Sequence, residues 1–398
     1  MQNHFIIEML GIEDKHVDVW EVSSDSGKFW VELYTKVKKH KCPFCGNRTK
    51  NIHGYRTQTI QGPIVSNKPV RISLKKRRYL CKACNHTFYE KLQMVERYQR
   101  CTRSIQTTAL TYTAVGSFTT AAQLTGMSSQ RLLRIYDRKE IKTRKVLPRA
   151  LAIDEFKGDA GGERFQTVIA DVENKEIVDV LPDRKVDTIK AYLQSCDTSN
   201  VEIVVMDLSK SFKQAIRKAL GNPLIIADRF PFMRQVYWAL DEVRREVQRD
   251  LEKKDRIHMK KSKKLLWKST YKLSEEEREK VNQLLQVDTR LEEAYNLKNK
   301  LDQWFKESNE KTATQGLEEC LMAMKDSNIE SFHRVRKTFE RWKQEILHSF
   351  MYPFNNGYIE GVNNTIKVTK RMSYGIKNFN RLKKKILWRQ EVRKVLAR

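Results

Sequence analysis

Residues 151–156 read LAIDEF, and residues 201–208 read VEIVVMDL. Both are short apolar runs rich in Ile, Val and Leu, and such runs read as buried strands. Each carries an aspartate at or near its end, Asp154 and Asp207. Working outward, strand candidates fall at 150–156, 165–171, 176–181, 201–207 and 223–227, and helix candidates at 186–196 and 209–219. Asp207 follows Asp154 by 53 residues (207 − 154), an interval that holds two further strands and a helix. A strand returning parallel to its neighbour needs such a crossover. The order therefore predicts a three-strand meander, a crossover helix, and a strand parallel to the first. That arrangement sets Asp154 beside Asp207. Two carboxylates so close repel, and a divalent cation relieves the repulsion. Glu155 is a poorer ligand, because strand alternation turns it to the opposite face.

A third acid, Glu360, lies in NNGYIEGVNNTIK (355–367), a turn opening into a helix. It follows Asp207 by 153 residues (360 − 207), far more than a compact core needs. The excess is a block over about 230–345, rich in Lys, Glu, Gln and Leu, which reads as an all-α insertion. Asn363, Asn364 and Lys367 follow Glu360 at i+3, i+4 and i+7 and share its face. Carboxylates at two neighbouring strand ends and on a facing helix can converge on two Mg²⁺ (or Mn²⁺) ions. Such a pair activates a water or 3′-hydroxyl and steadies the leaving oxygen of a phosphoryl group. The strand order is that of a ribonuclease-H-like core.

Length and charge bound the partners. The chain has 398 residues and a formal net charge of +28, enough sequence for several domains and an excess that calls for a polyanion, nucleic acid first. The charge is clustered: residues 36–100 carry seventeen Lys or Arg against two Glu, and residues 366–398 carry twelve against one. Clustering favours a phosphate-binding track over diffuse solubilising charge. No run approaches a membrane span and no signal peptide opens the sequence. The expectation is a cytoplasmic, nucleoid-associated protein with no membrane role.

Cys42-Pro-Phe-Cys45 and Cys81-Lys-Ala-Cys84 are two C-x-x-C knuckles separated by thirty-five residues. Each spacer lets two thiolates share one tetrahedral ion, so the four predict a structural Zn²⁺ site in a zinc-ribbon-like module. The adjoining Lys76, Arg77 and Arg78 are candidate phosphate contacts. Further on, SFTTAAQLTGMSSQRLLRIYDRK (117–139) reads as a helix-turn-helix. Gly126 stands at the turn, Ser128 or Ser129 caps the second helix, and Gln130, Arg131 and Arg134 lie near its exposed face.

These motifs, with AIDEFKG, VVMDLSKSF, IIADRFPFMRQV and NNGYIEGVNNTIKVTKRMSYGIKNF, resemble the ISL-three group of bacterial insertion-sequence transposases over nearly the whole chain. The resemblance implies a DDE catalytic triad at Asp154, Asp207 and Glu360. The Glu-x₆-Lys spacing to Lys367 is similar to that of other DDE transposases, where the Lys contacts DNA; Asn364, Lys370 and Arg371 are neighbouring DNA-contact candidates. One departure is Pro231 after Asp228-Arg229-Phe230, where the family commonly has His. Asp228 itself could sit near the metals or cap the next helix.

The expected organisation is an N-terminal β segment (1–40), a zinc module (41–100), a helix-turn-helix domain (101–146), the first part of the core (147–232), the helical insertion (233–350), and the last core helix with a basic tail (351–398). The expected function is Mg²⁺-dependent cleavage and strand transfer on double-stranded DNA, at terminal inverted repeats and target, by a homodimer or larger synaptic complex. A non-catalytic DNA-binding regulator and a nuclease without a joining step are the alternatives. Trp267, Trp304 and Trp342 are expected to pack in the core rather than stack on DNA bases.

Overall fold

The computed structural model describes residues 2–25 and 27–396; Met1, Ser26, Ala397 and Arg398, within the expected segments 1–40 and 351–398, lie outside the described residues. The chain divides into two compact units. One comprises residues 1–142, 368–376 and 380–398, the other residues 143–367 and 377–379.

The first unit opens with helix α1 (Gln2–Met9), then β1 (Val17–Asp25) and β2 (Lys28–Thr35). Short strands β3 (His40–Lys41) and β4 (Arg48–Thr49) are followed by a long hairpin, β5 (Ile52–Val65) and β6 (Lys68–Leu80), and by β7 (Thr87–Tyr89). The hairpin turns on Ser66 and Asn67, both left-handed (φ 49° and 61°), the geometry that matches the twist of paired strands. Strand β2 pairs with β6 in parallel, so the sheet order is β1-β2-β6-β5, with β7 on β6. The N-terminal strands and the zinc module therefore share one sheet and one core, built from Leu10, Val17, Val31, Leu33, Ile60 and Ile72 among others. Residues 1–40 are not β throughout: Ile6 and Ile7 of α1 pack with Leu10 against that core, a helical spacing that the strand alternation further on obscured.

Helices α2 (Arg103–Val115), α3 (Phe118–Thr125) and α4 (Ser129–Arg138) follow. Each N-terminus is capped by a hydroxyl: Thr102, Ser117 and Ser128 accept from the backbone N–H three residues on. Gly126 ends α3 at φ 62°, the left-handed position glycine takes without a Cβ penalty.

The second unit begins with β8 (Ala150–Ala160), β9 (Glu163–Asp171) and β10 (Glu176–Leu181), then α5 (Val186–Gln194), β11 (Ile203–Met206), α6 (Lys210–Leu220) and β12 (Leu224–Ala227). The sheet order is β10-β9-β8-β11-β12; the first three strands pair antiparallel, and β8, β11 and β12 pair parallel. The meander, crossover and parallel return read from the sequence are all present. Met206 lies opposite Ile153 on one side and Ala227 on the other.

From β12 the chain passes directly into α7 (Arg229–Asp250), then α8 (Lys253–Lys261), α9 (Lys263–Trp267), a 3₁₀ turn at Thr270–Lys272, α10 (Glu275–Leu285), α11 (Thr289–Glu307), α12 (Ala313–Asp326), α13 (Glu330–Arg341) and α14 (Lys343–Met351). The helical block thus starts four residues before the expected boundary at 233, because α7 begins at the strand end. It shares one continuous hydrophobic core with the sheet. Trp304 and Trp342 are 5% and 2% exposed, and the Trp304 indole donates to the Ala313 carbonyl at 2.9 Å, so both are core residues. Trp267 stacks on Tyr237. Helix α14 anchors on β12, where the His348 ring meets the Ile225 carbonyl at 2.7 Å, and on α6, where buried Glu345 pairs with Lys213 at 2.5 Å.

Helix α15 (Gly357–Met372) and helix α16 (Phe379–Leu396) close the chain. Within the first unit α16 lies against α2 and α4. Its side chains donate to carbonyls at the ends of those helices, Lys385 to Gly116, Arg389 to Ala114, and Lys384 to Tyr136 and Asp137, while Trp388 donates to Leu110 within α2. The last carbonyls of a helix lack partners of their own, and cations favour that end of its dipole. Arg381 adds an ion pair to Asp137. Much of the positive charge read in the tail is therefore occupied in packing.

Candidate active site and zinc centre

One residue past the Ile153–Met206–Ala227 register come Asp154, Asp207 and Asp228, adjacent at the edge where β11 and β12 end; β8 does not stop near 156 as expected but runs on to Ala160, so Asp154 lies within it. The Asp228 N–H donates to the Met206 carbonyl at 2.9 Å, extending that pairing. Helix α15 lies over this edge. The Asn363 amide donates to Asp154 Oδ2 at 2.7 Å, and the Asn356 amide reaches Asp207 Oδ1 at 3.5 Å. Glu360 stands between them: Asn356, Glu360 and Asn363 are spaced i, i+4, i+7 and share one helical face. The Glu360 N–H donates to the Asn356 carbonyl at 3.0 Å, as the first helical turn requires.

The electrostatics of the edge are those of crowded negative charge. Burial, then the Asp207 charge, pushes the Asp154 carboxyl up to about 7. Burial, then the Asp228 charge, pushes Asp207 up to about 6, against an opposing effect of Arg234. Asn356 and Asn363 are 3% and 8% exposed, and the Oδ1 of each is buried without a hydrogen-bond partner. Carboxylates held against their preference for charge, beside two amide oxygens lacking a donor, form an oxygen-rich setting that a hard divalent cation suits. Glu360 is exposed, and Glu155 pairs with Arg184 at 2.5 Å. Among the described residues the three acids of the expected triad are not drawn within 4.8 Å of one another.

The four cysteines are. Their sulfurs all lie within 4.8 Å, with Cys42 and Cys84 3.6 Å apart and Cys45 and Cys81 3.5 Å apart. A tetrahedron of Zn–S bonds near 2.3 Å has edges of about 3.8 Å, so the cluster fits one Zn²⁺ with little adjustment. The knuckles are built alike. The Cys42 N–H donates to the Asn47 carbonyl and the Cys81 N–H to the His86 carbonyl, and each chain reverses at a left-handed residue after its second cysteine, Gly46 and Asn85. His40, His53 and His86 are not in the cluster.

The basic candidates divide. Arg77 turns inward, donating from its guanidinium to Thr35 Oγ1 at 2.6 Å, and Arg78 donates to Thr87. Lys76 is half-buried. On α4, Gln130 and Arg134 are exposed, whereas Arg131 reaches Gln61 Oε1 at 3.5 Å. Asn364, Lys367 and Arg371 are exposed and Lys370 is half-buried; Lys367 donates to Asn364 at 3.3 Å. The residue the sequence reading missed is Asn356, read only as part of the turn that opens NNGYIEGVNNTIK. Its i+4 spacing to Glu360 was the available signal.

A family described as transposase, of the ISL3 type with a DDE domain, matches residues 151–386. The chain belongs to the ISL3 transposase family. A second family, the zinc finger of the IS204/IS1001/IS1096/IS1165 transposases, matches residues 38–84. Over 364 residues the chain is 22% identical to the transposase for insertion sequence element IS1001 of Bordetella parapertussis, covering 87% of this chain and 88% of that protein. The zinc-finger match and the four-sulfur cluster agree on a structural Zn²⁺. No described helix is long and apolar enough to cross a membrane.

Proposed function

We propose that this transposase cuts and joins DNA strands at the ends of its own element, using Asp154, Asp207 and Glu360 of a ribonuclease-H-like core. The observation that carries the reading is the placement of Glu360 between two asparagines that touch the other two acids. Two bound Mg²⁺ (or Mn²⁺) ions would activate the attacking water or 3′-hydroxyl and stabilise the leaving oxygen of an in-line displacement. The chain's own residues do the rest. Asn363 holds the Asp154 carboxylate in one orientation and Asn356 steadies Asp207. Lys367, two turns beyond Glu360, offers an exposed cation to the phosphate backbone. Helices α3 and α4 act as a helix-turn-helix, with Gln130 and Arg134 toward the terminal inverted repeats. Two protomers pair two DNA ends, and the protein works on the bacterial nucleoid.

The test is incubation of the full chain with Mg²⁺ and DNA carrying the element's ends, with cleaved and joined products resolved on a gel. Asp154→Asn, Asp207→Asn and Glu360→Gln should each abolish both products while end binding persists. A variant that still joins ends refutes the triad. Cleavage without joining favours the nuclease, and end binding with no Mg²⁺-dependent product in the unaltered protein favours the non-catalytic regulator.

A further inference from the structure

The sheet edge carries a third aspartate that the triad does not use. Asp228 is next to Asp207 across the parallel β11–β12 pair, as Asp154 is next to Asp207 across β8–β11. Parallel strands lie about 4.8 Å apart, so Asp207 stands mid-row with one carboxylate on each side. Asp228 also occupies the N-cap position of α7, where an aspartate ordinarily accepts a hydrogen bond from the first helical turn. Its side chain makes no such bond. The capping role open to it from sequence is therefore not the one it performs.

A row of acids is not by itself a site, but an independent feature at this edge points to a ligand. The carboxamide of Asn356 is 97% buried by its 3% exposure, has its amide on Asp207, and has an oxygen with no donor. The Asn363 oxygen at Asp154 is in the same state. A buried amide oxygen is an acceptor only, satisfied by a water proton or a cation. We propose that Asp228 is a further carboxylate of the cation site, on the side of Asp207 away from Asp154. This rests on the two-cation reading of Asp154 and Asp207. Asp228 would hold a cation, directly or through one of its waters, at the Asp207 end of the row.

The test is Mn²⁺ binding to the full-length protein without DNA, followed by titration calorimetry and by the electron paramagnetic resonance of free Mn²⁺. Asp228→Asn should weaken Mn²⁺ binding at least about tenfold, the effect typical of losing a group that orients or holds a metal. Asp228→Glu, which keeps the carboxylate, should recover part of it. Unfolding in EDTA separates a structural role: Asp228→Asn that loses stability there but keeps its Mn²⁺ affinity overturns the proposal. If Asp154→Asn and Asp207→Asn lose Mn²⁺ while Asp228→Asn binds it normally, the proposal falls and the two-cation site stands. If the unaltered protein binds no Mn²⁺ saturably, both fall.

Discussion

Replacing Asp154 by Asn should make the metal-free protein more stable at alkaline pH, although it removes a residue proposed to be essential. The folded protein holds the Asp154 proton up to about pH 7, against an ordinary 3.8, because burial and the Asp207 charge oppose ionisation. A folded-state pKa raised above the unfolded one means that the unfolded chain ionises first. The stability associated with this group is fully present below 3.8 and is lost as pH climbs through about 7. At 1.36 kcal/mol per pH unit the loss at pH 8 is about 4 kcal/mol as an upper figure. Asn carries no such penalty. It has one oxygen where Asp154 accepts both the Glu155 N–H at 2.8 Å and the Asn363 amide at 2.7 Å, so one of these bonds is lost. Such a bond contributes about 1 kcal/mol, and the orphaned Asn363 oxygen can rotate to accept from the new amide. The net gain is about 2–3 kcal/mol, or roughly 4–10 °C in melting temperature for a unit of this size. Thermal melts by circular dichroism in EDTA at pH 8 and pH 4 measure it. The gain should vanish at pH 4, and Mg²⁺ at pH 8 should raise the melting point of the unaltered protein more than that of the variant. Equal melting points at pH 8, or an equal gain at both pH values, would refute the account of the acidic row.

Three further outcomes are expected. Changing Cys42 and Cys45 to Ser should release Zn²⁺, read by elemental analysis, and loosen the first unit, read by protease sensitivity of residues 36–100. Gly158→Ala should destabilise the second unit by about 1–3 kcal/mol in chemical denaturation. A Cβ there falls 1.7 Å from Oε1 of Gln166, whose amide is tied to the Ala160, Glu163 and Pro182 carbonyls. Arg77→Ala should lower the melting temperature of the first unit with little specific effect on the salt dependence of DNA binding, whereas Arg134→Ala should leave melting unchanged and flatten the salt slope by about one contact.

Where the sequence was readable, a periodicity or a rigid chemical spacing carried it. The run at 176–181 became β10, and all but the first residue of the run at 223–227 became β12, because a buried strand is nearly continuous in Ile, Val and Leu. The C-x-x-C pairs gave the sulfur cluster, since the knuckle spacing is set by the ligand geometry itself. The parallel pairing of β2 with β6 was not legible, because nothing local records which distant strand completes a sheet. Charge was the most misleading signal. Arg77 and Lys385 look like phosphate contacts in sequence, yet one bonds Thr35 and the other, 1% exposed, reaches the Gly116 carbonyl. Burial holds Lys385 down to about 8, a cost that only packing explains. The candidate site was half legible: the adjacency of Asp154 and Asp207 followed from strand order, whereas the hold of Asn356 on Asp207 depends on how α15 lies over the sheet.

The hydrogen bonds from α16 to the ends of α2 and α4 set an order of events during synthesis. The first unit is finished by α16, with most of the second unit made between its two parts. Until α16 leaves the ribosome, the Gly116 carbonyl lacks its Lys385 donor, and the Leu110 and Tyr136 carbonyls keep only their local donors, Thr113 Oγ1 and the Lys139 N–H. The first unit therefore completes its packing only after the second has been made, and a gene copy cut short before residue 380 loses part of the first unit as well.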